Sequence, residues 1–330
     1  MINNKIKIGI VGLGHLGKFH VEQTLLIPEF DLVGVYDIDS KISKKINKQH
    51  NVQNYNSLES LIQKTDCLSI VTPTENHYEV AKQALEYKNH VFIEKPITSE
   101  LSDAQELLDI AKKNNLLIQV GHIERFNPVY LKLKEYNFKP QFIESHRLTQ
   151  FNPRALDVPV ISDLMIHDLD IILSIVQSEV KNIIASGVKV VTDLIDLANA
   201  RIEFENGTVA NVTASRISNK QLRKLRLFAQ NEYITVDFLL KQIEKYKLQN
   251  KQPDKDSISQ LIDISPDNKK YILYNKPEIK SSNALNDELT HFAHSIINQS
   301  NPLVDGQAGL NALSLAKKIE EKLLENESKS

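Results

Sequence analysis

The run "KIKIGIVGLGHLGKFHVEQTLL" (5–26) constrains this chain more than any other stretch. An apolar segment reads as a buried strand. Glycines follow at 12, 14 and 17, and a helical pattern begins at once. The spacing G-x-G-x-x-G is weak by itself. Between a strand and a helix it has a physical purpose: Gly12 permits a tight turn, Gly14 lets the backbone close on a pyrophosphate, and Gly17 lets the helix pack on a sheet. His15 and Leu16 open that helix, whose first N–H groups lack intrahelical acceptors and suit phosphate oxygens. A second strand (30–39) delivers Asp37, 25 residues after Gly12. A carboxylate there accepts ribose hydroxyls and repels a 2′-phosphate, so NAD is expected rather than NADP. Ile38 beside it cannot hold a phosphate.

The same alternation continues. Strand patterns at 5–13, 30–39, 67–74, 90–96 and 116–123 are separated by helical patterns at 17–28, 39–50, 76–88 and 99–115. That rhythm predicts βαβ units and a parallel Rossmann sheet. Past residue 124 it changes. Strand patterns at 141–149 and 181–192, a helix at 162–176, a hairpin over 198–217 around Asn206-Gly207 and more strands over 221–243 predict an α+β domain on an open, mostly antiparallel sheet. Residues 249–284 are polar and predict no element beyond 269–274. Helices are expected at 284–299 and 306–325. With 330 residues, two domains are expected, 1–123 for the nucleotide and 124–330 for substrate and oligomerisation, with room for the C-terminal helices to pack back on the first.

Bulk properties exclude some partners. A net charge of −2 gives no electrostatic case for nucleic acid or an anionic membrane. A single cysteine, Cys67, and a glycine-interrupted N-terminus without signal-peptide layout point to the cytoplasm. No apolar stretch is long enough to span a bilayer. The ten histidines show no ligand spacing, so no metal is expected.

The strand ends carry the candidate chemistry, because open α/β sheets bind ligands beyond the carboxyl ends of their strands. Thr72, Thr74 and His77 follow the third strand, with helix capping as the competing reading for the threonines. Glu94 and Lys95 end the fourth, just before Pro96. Two charges closing a buried strand are expensive unless paired or useful. In "SDLMIHDLDIILS", Asp163 and His167 are four apart, which sets them on one face of a helix. A solvated helix face is the plain alternative. On the substrate side, Glu124 and Arg125 follow the fifth strand, and Arg147 and Arg154 offer forks that match phosphate oxygens. Ordinary surface arginines or interdomain salt bridges are the alternative.

Taken in order, "GIVGLGHLG", "VTPTENHYEVAKQALEYKNHVFIEKP" and "DLMIHDLDI" resemble the Gfo/Idh/MocA oxidoreductases across nearly the whole chain. The E-K-P motif is the most specific part. "GHIERFNP" and "FNPRALDVPVISDLMIHDLDI" are similar to a branch that oxidises UDP-N-acetylglucosamine at C3 for an amino-sugar form of lipid A. Related branches oxidise UDP-sugar uronates. The resemblance implies an NAD-dependent dehydrogenase of a sugar or UDP-sugar, assembled as a dimer or tetramer. It implies catalytic roles for Lys95, His167 and Asp163, cofactor contact by Lys95, cofactor contact or positioning of Lys95 by Glu94, and substrate contact by Asp163 and His167. Whether Lys95 or His167 is the formal base stays open. A free-sugar or inositol dehydrogenase and a non-catalytic NAD-binding sensor are the competing readings. Retention of Lys95, Asp163 and His167 together counts against the sensor.

Overall fold

A computed structural model of the chain describes residues 5–152, 158–252, 258–265 and 268–327. They divide into two compact units: Met1–Phe126 with Asn283–Ser314, and Asn127–Ser282 with Leu315–Ser330.

The first unit is a Rossmann domain. Its strands are β1 (Ile6–Val11), β2 (Phe30–Tyr36), β3 (Cys67–Ile70), β4 (His90–Glu94) and β5 (Ile118–Gly121). They pair in parallel in the order β2-β1-β3-β4-β5. The strand order reverses direction at β1, so the crevice for a ligand lies beyond the ends of β1 and β3. Strands buried on both faces read as continuous apolar runs rather than alternations. All four residues of β3 are buried, as are Val91, Phe92 and Ile93 in β4. The connecting helices are α1 (His15–Thr24), α2 (Ser40–His50), α3 (Leu58–Ile62), α4 (His77–Glu86) and α5 (Leu101–Asn114). Val80, Ala84 and Leu107 of α4 and α5 pack with Leu68 and Val91 in one cluster. Phe92 packs in another with Leu289, Phe292 and Ala293, which lie within residues 284–298 near the chain's end.

The second unit has helices α6 (Pro128–Glu135) and α7 (Ile166–Val176) and a sheet of β6 (Phe142–Leu148), β7 (Val180–Val188), β8 (Leu197–Phe204), β9 (Val209–Ser215), β10 (Leu222–Ala229), β11 (Glu232–Asp237), β12 (Gln242–Gln249), β13 (Ser259–Ser265) and β14 (Asn268–Asn275). The order is β13-β14-β12-β11-β10-β6-β9-β8-β7, antiparallel except for the parallel β6–β9 pair. Here the burial alternates, as a sheet with one packed face requires: Ala198, Ala200, Ile202 and Phe204 of β8 are buried and the residues between them are not. Gly207, with φ +84°, turns the β8–β9 hairpin at Asn206-Gly207 as expected. The last helices are α8 (Ala284–Asn298) and α9 (Gly306–Glu327).

Three sequence expectations need correction. The polar stretch 249–284 contains both β13 and β14, because an edge hairpin needs little apolar content when backbone pairing holds it. The short helices α3 and α6 were not anticipated; both are too short for periodicity to register, and the caps Ser57 and Asn127 are their main signal. The helix expected at 162–176 starts at Ile166, behind a π-helical turn at Ile161–Met165. No helix among the described residues is long and apolar enough to cross a membrane.

Candidate functional site

The turn after β1 separates what the fold needs from what it does not. Gly12 has φ +86°, and a Cβ there would lie 2.6 Å from the Val71 backbone at the end of β3. A Cβ on Gly17 would meet the Gly12 carbonyl oxygen at 2.0 Å. Both glycines are therefore demanded by the turn itself. Gly14 is not: a Cβ there would meet nothing within 4 Å. A ligand approaching the backbone at that spot would account for it. No side chain caps α1 at Gly14, and none caps α4 or α5, whereas Asp39, Ser57 and Asn127 cap α2, α3 and α6. The N–H groups opened by His15 and Leu16 are thus left for an anion.

Asp37 braces this loop from the end of β2. Its Oδ2 accepts the Leu13 N–H at 2.7 Å and its Oδ1 the Asp39 N–H at 2.8 Å. Each carboxylate oxygen keeps a lone pair for a ribose hydroxyl. Ile38, 94% exposed, brings no polar group to the place.

At the end of β3, Thr72 Oγ1 is buried and has no hydrogen-bond partner among the described residues. A buried hydroxyl left so is costly, and a nicotinamide cofactor's polar atoms would satisfy it. With Gly14 and the uncapped helix, it shows that the residues present fit such a group. Thr74 begins a short turn (Thr74–Asn76) that leads into α4. His77 is fully committed within the protein. Its Nδ1 meets the Pro96 carbonyl and its Nε2 the Thr72 carbonyl, each at 2.9 Å. Burial holds the imidazole below its ordinary pKa, although both carbonyls and Glu94 pull the other way.

Glu94 also points inward. Its Oε1 meets His20 Nε2 at 3.1 Å, and its Oε2 accepts the Lys95 N–H at 3.2 Å. Burial pushes this carboxyl up, but the His20 bond and the charges of His20, Lys95 and His77 carry it below its ordinary value. Opposite it in register is Gly121, where a Cβ would sit 2.9 Å from the carboxyl carbon. Lys95 itself is half-buried, and the Lys95–Pro96 peptide is cis. His20 was missed by sequence reasoning. The available signal was a polar residue on the apolar face of α1, beside the buried Val21 and Thr24.

Also in the first unit, Glu124 and Arg125 lie in the turn Ile123–Phe126 and are buried, with Arg125 donating to the Leu303 carbonyl at 3.3 Å. In the second unit, Asp163 sits inside the π-helical turn and His167 is the second residue of α7; both are half-buried. Such turns are rare and concentrate at functional sites. Because the helix is not regular between them, the same-face argument for this pair does not carry over unchanged. Arg147 is the last residue but one of β6, on its packed face, with its side chain 3% exposed. Its Nε donates to Asp168 Oδ2 at 2.6 Å, and Ser145 Oγ donates to Asp168 Oδ1 at 2.8 Å. This ion pair is buried within the second unit, so Arg147 is neither a surface arginine nor part of an interdomain salt bridge. Arg154 lies outside the described residues. No cluster of three or more His, Cys, Asp or Glu side chains suited to a metal occurs among the described residues.

Known proteins were compared against this arrangement. Residues 6–122 match the model of the oxidoreductase family with an NAD-binding Rossmann fold, and residues 135–234 match the GFO/IDH/MocA C-terminal domain. UDP-N-acetylglucosamine 3-dehydrogenase of Acidithiobacillus ferrooxidans is 39% identical over 235 residues, 71% of this chain and 74% of that protein. The chain belongs to the GFO/IDH/MocA oxidoreductase family. Its relatives include myo-inositol 2-dehydrogenase of Thermotoga maritima, 27% identical over 64% of this chain and 69% of that protein. A solved structure of the Acidithiobacillus enzyme superimposes with TM-score 0.88 at 32% identity, covering 98% of each chain. The scyllo-inositol dehydrogenase of Lactobacillus casei, solved with NAD(H) and scyllo-inositol, shares the fold with TM-score 0.77 at 21% identity, covering 98% of each chain. The protein is thus an oxidoreductase of a family that uses a nicotinamide cofactor.

Proposed function

We propose that this enzyme oxidises a secondary hydroxyl of a UDP-sugar, C3 of UDP-N-acetylglucosamine, with NAD as acceptor. The observation that carries the substrate is the 39% identity to an enzyme of that name over 71% of the chain. NAD rather than NADP is supported by Asp37, with Asp39 two residues on and the apolar Ile38 between them.

Bound NAD would supply the hydride acceptor; Gly14, Thr72, Asp37 and the N-terminus of α1 would hold it. The chain's own groups do the rest. His167 takes the hydroxyl proton, a role suited to imidazole because the ordinary pKa of that side chain lies near neutrality. Asp163 orients that ring and accepts from a substrate hydroxyl. Lys95 stabilises the oxygen as negative charge develops. Glu124 and Arg125 flank the sugar. The product is the 3-keto sugar, the proton having left through His167 and the hydride with the cofactor. The setting is the cytoplasm, and the product would serve amino-sugar lipid A synthesis. Self-association is supported by a row of partly exposed rings on one face of the second unit's sheet, Phe142, Phe228, Tyr233, Tyr246 and Tyr274, with adjacent centroids 4.4–5.9 Å apart.

A second reading has an observation of its own. Arg147 is bound to Asp168 and so is not available to a diphosphate, which favours a free sugar or inositol. Purified enzyme with NAD or NADP and panels of UDP-sugars, free sugars and inositols, followed at the NADH absorbance, decides between them. Turnover of UDP-N-acetylglucosamine with NAD is the expected result; turnover of free sugars alone would select the second reading.

A further inference from the structure

Two buried histidines grip the segment Glu94-Lys95-Pro96. His20 of α1, 1% exposed, meets Ser69 Oγ through Nδ1 at 2.9 Å and Glu94 Oε1 through Nε2 at 3.1 Å. The other Glu94 oxygen accepts the Lys95 backbone N–H at 3.2 Å. His77 of α4, also 1% exposed, has Nδ1 2.9 Å from the Pro96 carbonyl and Nε2 2.9 Å from the Thr72 carbonyl, and the neutral ring that burial favours donates to one of them. The residue before Lys95 and the residue after it are each tied to an imidazole, from different helices.

Packing alone does not call for this. Burying a carboxylate beside an imidazole removes hydration from both, and apolar side chains would fill the space at less cost. Phe92 and Ile93, immediately upstream, do so. Gly121 is also fitted to the carboxylate, since any Cβ there would overlap Glu94. Three elements, α1, β3 and β5, are shaped around one side chain whose remaining bond goes to the Lys95 amide.

We propose that His20 and His77 are positioning residues for Lys95, His20 acting through Glu94 on the Lys95 amide and His77 through the Pro96 carbonyl. Neither imidazole meets the reacting atoms. Together they fix the point from which the lysine stem departs, and hydride transfer tolerates little misplacement of a stabilising charge. His77 also ties that point to the Thr72 loop, so cofactor-side and lysine-side backbones are held in one register. The proposal rests on the catalytic reading of Lys95.

The test is a set of double-mutant cycles in the full-length chain. His20→Gln, His77→Gln and Ser69→Ala are made alone and combined with Lys95→Ala, and rates are read by single-turnover NADH formation at high enzyme concentration. Each histidine variant is expected to lower kcat about 10- to 100-fold, with KM for NAD changed less than about twofold for His20→Gln and raised as well for His77→Gln, which also releases the Thr72 loop. Ser69→Ala gives a smaller loss of the same kind. In the Lys95→Ala background the same substitutions reduce the residual rate no further. Losses that multiply with that of Lys95→Ala overturn the proposal, and so does a raised KM with unchanged kcat. Full activity of Lys95→Ala would instead sink the reading of Lys95. Should the histidine variants fail to fold, Ser69→Ala, which removes only a hydroxyl, decides the His20 arm.

Discussion

Lys95 and Arg147 are both cations on β-strands, and their settings differ in a way that separates the two halves of the molecule. In the parallel sheet, both faces of each strand are buried, so a charge has one tolerable address, the carboxyl end of the strand. Lys95 stands there. In the antiparallel sheet, position along the strand matters less than which face a residue takes. Arg147, next to the last residue of β6, takes the packed face, where Asp168 meets it and is itself held by a bond from Ser145. A charge at a strand end faces the place where such sheets bind ligands; a charge on a packed face needs a buried counter-charge such as Asp168.

That contrast breaks first on substitution. Lys95→Ala should lower kcat by roughly 10³-fold, the scale of a lost charge-stabilising donor, with a melting temperature close to wild type because the residue is half-buried. NADH absorbance and thermal unfolding on the same preparation check both halves. His167→Ala should give a loss of about 10²- to 10⁴-fold.

Arg147→Ala should reverse the pattern. It leaves Asp168 buried beside a vacated guanidinium, which costs about 3–5 kcal/mol. Denaturant unfolding measures this, and the folded fraction should keep its turnover per active site. If Arg147→Ala were stable and instead raised KM for a UDP-sugar, the contrast would fail and the diphosphate role would return.

The two settings also differ in how much a sequence discloses. Gly12, Gly14, Gly17 and Asp37 are legible because a local turn and one strand length set their spacing. Lys95 is legible because a strand ends at it. Arg147 is not, since its partner is 21 residues away on a helix and only the strand's facing pairs them. The His20–Glu94 bond spans 74 residues and is hidden for the same reason. The π-helical turn at Ile161–Met165 leaves apolar periodicity nearly intact, so the sequence continues to read as one helix through it. The hairpin of β13 and β14 is hidden by polarity, because its pairing is backbone pairing.

Within the nucleotide loop, a finer version of the comparison separates glycines by need. Gly14→Ala meets open space, so it should leave stability nearly unchanged and weaken NADH binding about 10-fold, a loss of about 1.4 kcal/mol read by fluorescence titration. Gly12→Ala forces a side chain into the left-handed region and against Val71, so it should destabilise by more than about 1 kcal/mol. Equal effects on stability would mean that Gly14 is also a fold glycine and that the ligand argument drawn from it is wrong.

The effect confined to one end of the pH range concerns Asp196, a buried charge that serves the second unit without any cation doing most of the work. Its Oδ2 accepts the N–H groups of Val190, Val191 and Thr192 at 2.8, 2.7 and 3.0 Å, and Thr192 Oγ1 donates to Oδ1 at 2.8 Å. Arg216 stands back at 3.9 Å. Burial pushes this carboxyl up, but the backbone N–H bonds more than reverse it and bring the pKa to about 2 from 3.8. Since the folded value is the lower one, the charge stabilises the fold fully above pH about 3.8, and that contribution is lost as pH falls through about 2. The difference corresponds to about 2 kcal/mol. Asp196→Asn should therefore lower stability near neutral pH by about this amount and lose less than wild type between pH 5 and pH 2, measured by urea unfolding across that range. Because Arg216 also donates to the Val158 carbonyl and Val160 N–H bonds to the Ile195 carbonyl, the chain entering the π-helical turn hangs from the same loop. A wild-type pH profile parallel to that of Asp196→Asn would show that the N–H groups bind the amide as well as the carboxylate, and the charge would then be incidental to the loop it closes.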